Sequence, residues 1–478
     1  MRKILLSSVS VLAAGYVLAG AAEAQTAAAP APGTIVVSLG GRFRAFVGTM
    51  AQGDGDGSTS VTSYTDTSKV VTSTTAKVND AGVYEYLRLY PGFDGLTTTG
   101  IKYGVNTEIR QDNVAGAGGG SVGSVSAQDR ALGALYVRRD WAYIGTPTLG
   151  TIRIGTIDGA TSLVQVGTFD SGPNAFNDGG WNGDYRYTVL SGLMLNWAFA
   201  SSGNYYATNK IVYLSPKIAG FDLVASFEPS TVGANIDQGS ANGADSNSAA
   251  LDSSEICTAT TPVATTAVPK PVTTTSCADG DGARRRDTYD IAGRYTGHFA
   301  DVAVIGTASY VGSGKVDYIG PETKSTINYN GLSVADFGLS TSYAGLTLAG
   351  NYQTGKFNGE WSLLPVGFHN SQAWSFGTKY AIGPYQAGIS YYGYSSAGKV
   401  ALSSTTGLDE LGYRQERGIS AGGTYTMTKN LAFFLDYLYG QRAQAGFNFD
   451  TGAADAAGTT TADKVVVQGI SLGTSLTW

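Results

Sequence analysis

The chain ends in the stretch Gly469-Ile-Ser-Leu-Gly-Thr-Ser-Leu-Thr-Trp478, and this stretch decides the fold class. Every second residue from Ile470 to Trp478 is apolar or threonine, and the residues between them are glycine, serine or threonine. An alternation with a period of two predicts a β-strand that has one apolar and one polar face. Because soluble β-sandwiches contain such strands as well, the rest of the chain has to decide between a soluble and a membrane protein.

The same alternation recurs along the chain. Near the start, Arg42 and Arg44 alternate with Phe43, Ala45 and Val47. The charged faces need water, and the apolar faces hold many Tyr and Trp residues near the predicted strand ends, as in the aromatic girdles of lipid-embedded barrels. The sequence therefore predicts an all-β fold, a transmembrane antiparallel β-barrel with apolar faces outward and charged faces toward a wet interior.

The first residues indicate export. Arg2 and Lys3 precede an apolar run over residues 4–20, and Ala22 and Ala24 are small residues at the positions that signal peptidase reads. We expect residues 1–24 to be a signal peptide, 25–32 an Ala/Pro-rich spacer and 33–478 the barrel. Beyond the leader, no stretch approaches the ~20 apolar residues of a membrane helix. The formal net charge of −6 argues against nucleic acid as a partner.

The connections between the predicted strands alternate in length, which is the pattern of a bacterial outer-membrane barrel with periplasmic turns and extracellular loops. Short turns are predicted at residues 91–96, 145–149, 215–220, 298–301, 343–346, 382–385 and 428–431. Long polar segments are predicted at residues 52–79, 113–128, 230–286, 355–370, 395–413 and 444–463.

The number of strands follows from parity. Counting alternating segments first gives seventeen, but a single-chain bacterial barrel needs an even number. Because the turn at 215–220 is short, residues 210–214 have to run toward the short turns, and residues 190–200 then belong to the preceding loop. Sixteen strands remain, with eighteen as the alternative. A barrel of this size leaves an aqueous channel, whereas about eight strands are filled by side chains.

Two internal motifs resemble a known family. The run Leu149-Gly-Thr-Ile-Arg-Ile-Gly-Thr-Ile-Asp158 is similar to the fifth strand of general porins and the start of their constriction loop, and Tyr213-Leu-Ser-Pro-Lys-Ile-Ala-Gly-Phe221 resembles their next turn. Together with the first and last strands, the order of these motifs resembles the Gram-negative general porin family, especially its alphaproteobacterial members. Trp478 stands where the family more often has Phe. The resemblance implies an outer-membrane homotrimer, and a final strand by which the barrel-assembly machinery recognises the chain.

The resemblance also implies that the third loop, residues 156–208, folds into the lumen and narrows it. The candidate acidic residues of this constriction are Asp158, Asp170, Asp178 and Asp184. The candidate basic residues of the pore wall, each on the face opposite apolar neighbours, are Arg42, Arg44, Arg88, Arg110 and Arg153. Acids facing guanidiniums create a transverse field that favours dipolar solutes over apolar ones. The alternative is that the acids pair with loop arginines such as Arg186, or are solvated.

The long loop at 230–286 contains the only cysteines, Cys257 and Cys277, in a Thr/Pro-rich segment. In an exported protein such a pair is interpreted as a disulfide that staples the loop. Metal binding needs more ligands than two thiols, and the only histidines, His298 and His369, are distant in sequence, so no metal or cofactor is expected. The basic run at 284–286 is interpreted as a solvated cluster beside the membrane, with anionic lipopolysaccharide as an alternative partner.

The function implied is a water-filled outer-membrane channel for passive diffusion of ions and small hydrophilic solutes. The alternative is a substrate-specific channel for a sugar or an organic acid, in which aromatic residues of the third loop stack on sugar rings; these residues are Trp181, Tyr185, Tyr187 and Trp197. An enzyme is disfavoured because two histidines offer no convincing Ser/His pairing. A soluble exported β-protein would need neither the apolar faces nor the terminal strand.

Overall fold

The computed structural model describes most of the predicted barrel. The described residues are 30–53, 59–63, 72–76, 81–112, 135–166, 208–230, 259–262, 271–274, 286–319, 326–358, 361, 363–398, 400–403, 407–448, 453–454 and 463–478. The proposed signal peptide, both cysteines and most of the third loop lie outside these ranges.

Sixteen antiparallel strands form one closed barrel, which confirms the count from parity over the alternative of eighteen. They are β1 Thr34–Gly53, β2 Ala81–Leu96, β3 Lys102–Asp112, β4 Tyr136–Thr146, β5 Gly150–Ile157, β6 Thr208–Leu214, β7 Phe221–Ser230, β8 Arg286–Phe299, β9 Val302–Gly312, β10 Ser333–Tyr343, β11 Leu346–Lys356, β12 Ser371–Ile382, β13 Tyr385–Ser396, β14 Arg414–Thr428, β15 Leu431–Gln444 and β16 Lys464–Thr477. Each strand pairs with its neighbours in sequence, and β1 closes the ring on β16.

The remaining described elements are short and lie in the connections. One helical turn, α1 Ala160–Val164, follows β5. Small strands occur at Thr59–Ser63, Thr72–Ala76, Ala259–Pro262, Pro271–Thr274, Val316–Ile319, Thr326–Asn330, Leu364–Pro365, Val400–Ser403, Gly407–Glu410, Phe447–Asn448 and Ala453–Ala454. Within the described ranges, no helix is long and apolar enough to cross a membrane.

Side chains alternate between the two faces of the barrel as the sequence predicts. On β16, Leu472 is 57% exposed on the outer face while Ser471 is buried on the inner face. Aromatic side chains are exposed near both ends of the apolar outer face, as expected of a lipid-facing barrel. Near the short connections they include Phe221, Phe299, Tyr343, Tyr385 and Tyr425, and nearer the long connections Tyr289, Tyr310, Tyr352, Trp374 and Tyr391.

Seven connections of two to six residues alternate with eight of 14 to 55 residues. The predicted turn at 91–96 is wrong, because those residues belong to β2 and the chain turns after Leu96. Pro91 and the neighbouring glycines suggested a turn. In the structure Pro91 pairs with Leu39 of β1, while the pairing with β3 passes from Leu89 directly to Gly92. A strand tolerates proline where no ladder hydrogen bond needs its missing N–H group.

The two ends of the chain are joined at the side of the short connections. The backbone N–H of Gly41 donates to the carbonyl of Trp478 at 3.0 Å, and the N–H of Trp478 donates to the carbonyl of Gly41 at 3.1 Å. The indole of Trp478 lies directly over Gly41, where a Cβ would come within 2.2 Å of the ring. Glycine at position 41 therefore lets the last side chain pack flat on the first strand.

Replacing Gly41 by alanine should destabilise the closed barrel by about 1–3 kcal/mol, the usual cost of overpacking a tight contact. Thermal unfolding of the detergent-solubilised protein measures the effect. Gly306→Ala is the matched control, because a Cβ at this strand glycine meets nothing within 4 Å. Equal melting midpoints for the two variants would show that the Trp478 contact does not stabilise closure.

Candidate functional site

Arginines line the inner face of the first three strands. Arg42 on β1 lies directly opposite Arg88 on β2, and Arg88 lies directly opposite Arg110 on β3. Like charges in cross-strand positions repel each other, so this row is unfavourable for a sheet alone. Neighbouring groups have to offset the repulsion between these positive charges, and the structure provides two such groups.

The first compensating neighbour is Tyr86, a buried residue of β2 that points inward. The guanidinium carbon of Arg88 lies 4.6 Å from its ring centroid and that of Arg42 lies 5.5 Å away. Arg44 donates to the hydroxyl of Tyr86 at 3.4 Å and lies 4.1 Å from the ring of Phe434. Aromatic faces attract cations, most strongly where water is excluded, so the rings hold the guanidiniums close together.

The second compensating neighbour is the buried carboxylate of Glu108 on β3. It accepts from Arg110 at 2.5 Å, from Arg139 at 2.8 Å and from Arg138 at 3.0 Å. Strict alternation would send two consecutive residues to opposite faces of β4. A β-bulge changes the register here, because Glu108 pairs with Arg139 while Ile109 pairs with Val137. Arg138 is the extra residue of the bulge, and the altered alternation lets Arg138 and Arg139 both reach Glu108.

Arg139 also binds the first acid of the predicted constriction. Its Nη2 lies 2.7 Å from Oδ2 of Asp158, which is buried. Asp158 thus pairs with an arginine of β4, while Arg186, the loop partner of the alternative interpretation, lies outside the described residues. Arg153 of β5 points inward as well, with its guanidinium carbon 5.9 Å from the ring of Trp141. We call the seven side chains Arg42, Arg44, Arg88, Arg110, Arg138, Arg139 and Arg153 the arginine wall.

The chain that follows β5 runs along the inner wall instead of leaving the barrel at once. This segment, residues 158–166, is called the inner-wall run. Its contacts reach successive strands: the N–H of Ala160 donates to Ser226 of β7, and Thr161 donates to Asp290 of β8 through both its N–H (2.8 Å) and its hydroxyl (2.7 Å). Farther along, Gln165 donates to Asp336 of β10 at 2.7 Å.

An apolar cluster seats the inner-wall run. Ile157, Ala160 and Val164 are buried with three inward-facing strand residues, Val212, Val224 and Ala292. Apolar side chains on the inner face of a barrel are unexpected where the lumen holds water. Their position under α1 explains them, since burial of apolar surface stabilises the contact by roughly 25 cal/mol per Å².

The end of the run comes very close to β10. A Cβ at Gly338 would lie 2.3 Å from the carbonyl oxygen of Val166, and that same oxygen accepts from Asn351 of β11 at 3.1 Å. Only glycine leaves room for the backbone of the run at this point of the wall. The run is therefore fitted to the strands from β7 to β11.

The structure directs all five predicted wall arginines inward, and Asp158 pairs with a sixth inward arginine, Arg139, that was not predicted. The other predicted acids, Asp170, Asp178 and Asp184, and the cysteines Cys257 and Cys277 lie outside the described residues. Sequence reasoning did not select Arg138 and Arg139, because a bulge interrupts the alternation that it relied on. Nor did it select the inner-wall acids Asp290 and Asp336, because their partners on the inner-wall run, Thr161 and Gln165, are more than a hundred residues away in sequence.

A polar interior that is lined by paired charges, inside a closed barrel with an apolar exterior, is the architecture of an aqueous channel. A sequence model of Gram-negative porins matches residues 8–445. The chain belongs to the Gram-negative porin family. No curated protein matches the porin.

Solved structures similar to this porin include three from other bacteria. The anion-selective porin from Comamonas acidovorans is 12% identical over 93% of this chain and 100% of its own, with a TM-score of 0.49. OmpT of Vibrio cholerae in its trimer form is 11% identical over 93% and 100% of the two chains, with a TM-score of 0.47. The Salmonella typhi OmpF complex with daunomycin is 14% identical over 91% and 97%, with a TM-score of 0.45.

The porin is a passive-diffusion channel of the bacterial outer membrane, and its family and fold are those of a channel rather than an enzyme. In such barrels the short connections are periplasmic and the long ones extracellular. The arginine wall and the described inner-wall run lie on the inner face of this barrel.

Replacing Glu108 by glutamine should lower the free energy of unfolding by about 3 kcal/mol, because three guanidiniums lose the carboxylate that they share. The midpoint of heat-induced barrel unfolding in detergent is the measurement. Asp301→Asn in the turn between β8 and β9 is the control, since Asp301 is exposed. A midpoint unchanged by Glu108→Gln would mean that the cluster is held by other contacts.

Proposed function

We propose that residues 156–208 form the constriction loop of the pore, and that solutes pass between this loop and the arginine wall. The support for the proposal is the course of residues 158–166 along the inner faces of β7 to β11, since it takes the start of the loop inside the barrel. Asp158, Asp170, Asp178 and Asp184 are its acidic side chains, and Arg42, Arg44, Arg88, Arg110 and Arg153 are the basic side chains of the wall.

The charges at this level are divided between two sides of the barrel. The arginine wall occupies β1 to β5 and exceeds its two bound carboxylates, Glu108 and Asp158, by five positive charges. The carboxyl groups of Asp290 and Asp336 lie on β8 and β10, where they accept hydrogen bonds from Thr161 and Gln165. The transverse field favours dipolar and ionic solutes over apolar ones.

General diffusion is the function that this arrangement supports best. Charge rather than a continuous aromatic surface lines the described part of β1 to β5. The alternative of a sugar-specific channel depends on Trp181, Tyr185, Tyr187 and Trp197, which lie outside the described residues. It remains a second hypothesis, and sugar block of the current separates it from general diffusion.

Several features of the mature porin are proposed from its family and its sequence. The porin is a homotrimer, residues 1–24 are removed as a signal peptide, and residues 25–32 form a spacer ahead of the barrel at 33–478. Residues 230–286 are an extracellular loop stapled by a Cys257–Cys277 disulfide. Its partners are outer-membrane lipid and lipopolysaccharide, together with the barrel-assembly machinery, which recognises the last strand and Trp478.

The triple variant Arg42→Gln, Arg44→Gln, Arg88→Gln tests the arginine wall. Chloride permeability relative to potassium should fall at least several-fold, because one unit charge about 4 Å from an ion contributes about 1 kcal/mol even in bulk water. Reversal potentials of single channels in a planar bilayer under a salt gradient measure the ratio. The control is Arg417→Gln, an exposed arginine of β14. An unchanged reversal potential in the triple variant would place the ion path elsewhere.

Sugars added to the same bilayer distinguish the two channel hypotheses. Openings that scale with salt and are indifferent to sugars are expected for general diffusion. Small openings that sugars block would instead support the substrate-specific channel.

A side chain at Gly338 should displace the inner-wall run, because its Cβ would clash with the carbonyl of Val166. Gly338→Val is therefore expected to make the open-channel current noisier and to change its mean. Recordings of the same kind on Gly306→Ala, a strand glycine with open space around its Cα, supply the baseline. Currents identical to wild type in Gly338→Val would contradict a constriction held against β10.

A further inference from the structure

A second segment folds back onto the inner wall on the extracellular side of the inner-wall run. It belongs to the connection between β11 and β12, and we call its described residues, 357–358, 361 and 363–365, the Trp361 segment. Trp361 is 0% exposed, and its indole N–H donates to Oε1 of Gln353 at 3.2 Å. Gln353 is buried on the inner face of β11, with Tyr352 exposed on the outer face. The Trp361 ring thus lies inside the barrel.

Contacts at several residues hold the Trp361 segment in place. The ring of Phe357 stacks at 6.3 Å on Tyr394, an inward-facing residue of β13. Asn358 donates to the carbonyl of Gly398 at 2.8 Å and accepts from its N–H at 2.9 Å. At the other end, Leu364–Pro365 pairs with residues 329–330 of the preceding long connection. These contacts reach β11, β13 and the connections before β10 and after β13, and they fix the segment against the inside of the barrel.

One carboxylate connects this segment to the inner-wall run. Oδ2 of Asp336 accepts from Gln165 of the run at 2.7 Å and from Gln353 at 2.8 Å, and Gln353 in turn accepts from Trp361. Strand β11 runs from the short connections toward the long ones, so Gln353 lies farther toward the extracellular side than Asn351, which holds Val166. The Trp361 segment therefore stands on the extracellular side of the run, and both segments contact β11.

We propose that the Trp361 segment is a second narrowing of the channel, and that the buried ring of Trp361 holds this segment in place and thereby sets the size limit for solutes. The inference rests on the proposed function, since it assumes that the lumen beside the inner-wall run is the solute path. The arginine wall then selects by charge, and the Trp361 segment restricts by volume at the extracellular entrance. Asp336 is a positioning residue that keeps the two inward segments in fixed relation.

The two roles are separable because the residues lie on different strands. The Trp361 segment contacts the inner faces of β11, β12 and β13, and these contacts are apolar rings and neutral hydrogen bonds. The arginine wall is on β1 to β5. Loss of the Trp361 ring should widen the entrance without altering the charge beside the ion path.

Trp361→Ala and a variant lacking residues 359–366 test the proposal in planar bilayers. Widening the water path should raise single-channel conductance, by about 1.5-fold in the deletion variant and by less in Trp361→Ala, and should admit larger uncharged sugars. The chloride-to-potassium permeability ratio should stay at its wild-type value. Trp374→Ala is the matched control, since Trp374 is 41% exposed on the outer face of β12 and should leave all three quantities unchanged.

If Trp361→Ala fails to assemble, Trp361→Leu replaces it, because leucine keeps an apolar side chain at the buried position. The conductance and the sugar limit should rise in Trp361→Leu as well, but by less than in Trp361→Ala. Wild-type conductance and sugar limit in every variant that assembles would overturn the proposal. So would an equal rise in Trp374→Ala. Neither outcome affects the arginine wall, which fails only if the triple arginine variant keeps its selectivity.

Asp336→Asn tests the positioning role. An amide presents only one acceptor oxygen, so it cannot accept from Gln165, Gln353 and Asn351 in their present arrangement. Greater open-channel noise together with a raised sugar limit is the expected result, because both segments loosen. A variant that is merely less stable, with wild-type noise and sugar limit in the channels that form, would contradict the coupling.

Discussion

The structure depends on the requirement that every backbone N–H and C=O group in lipid finds a partner within the protein. A sheet with a free edge cannot meet this requirement, and a closed ring can. Here the ring closes between the first and last strands, over twelve paired positions from Arg42–Thr477 to Gly53–Val466. Even the final residue takes part, through its two backbone hydrogen bonds to Gly41. Because the apolar faces are turned toward lipid, the interior is free to carry charge.

The polar groups of the interior have different roles on β1 to β5 and on β7 to β11. On β1 to β5, arginines are held against aromatic rings and two carboxylates. On β7 to β11, carboxylates and neutral polar groups hold chain segments that have folded inward. Polar side chains thus position the segments that occupy the lumen, while an apolar cluster under α1 seats the first of them. The same inner face serves as water boundary and as packing surface at different places around the ring.

Much of the fold follows from the sequence, since alternation and parity are properties of the chain itself. The last strand has to end on the side of the short turns, which requires an even number of strands. This condition alone assigned the seventeenth alternating segment, residues 190–200, to a loop. The turn at 91–96 was misplaced because turn composition is a local signal, whereas the pairing of Pro91 with Leu39 is a distant one. The inward arginines at 42, 44, 88, 110 and 153 were predictable from alternation. Arg138 was not, because a single extra residue in β4 reverses the rule there.

The positive charges stacked on Tyr86 belong to arginines, and arginines respond to the acidity of the surroundings differently from carboxylates. A guanidinium keeps its proton across the whole pH range in which proteins stay folded, and a phenol ring gains no charge as pH falls. Carboxylates behave differently, because protonation in acid removes their charge. In acidic water the positive side of the lumen therefore persists while the negative side fades. On the proposed function, acidic surroundings therefore shift the charge balance of the lumen toward anions.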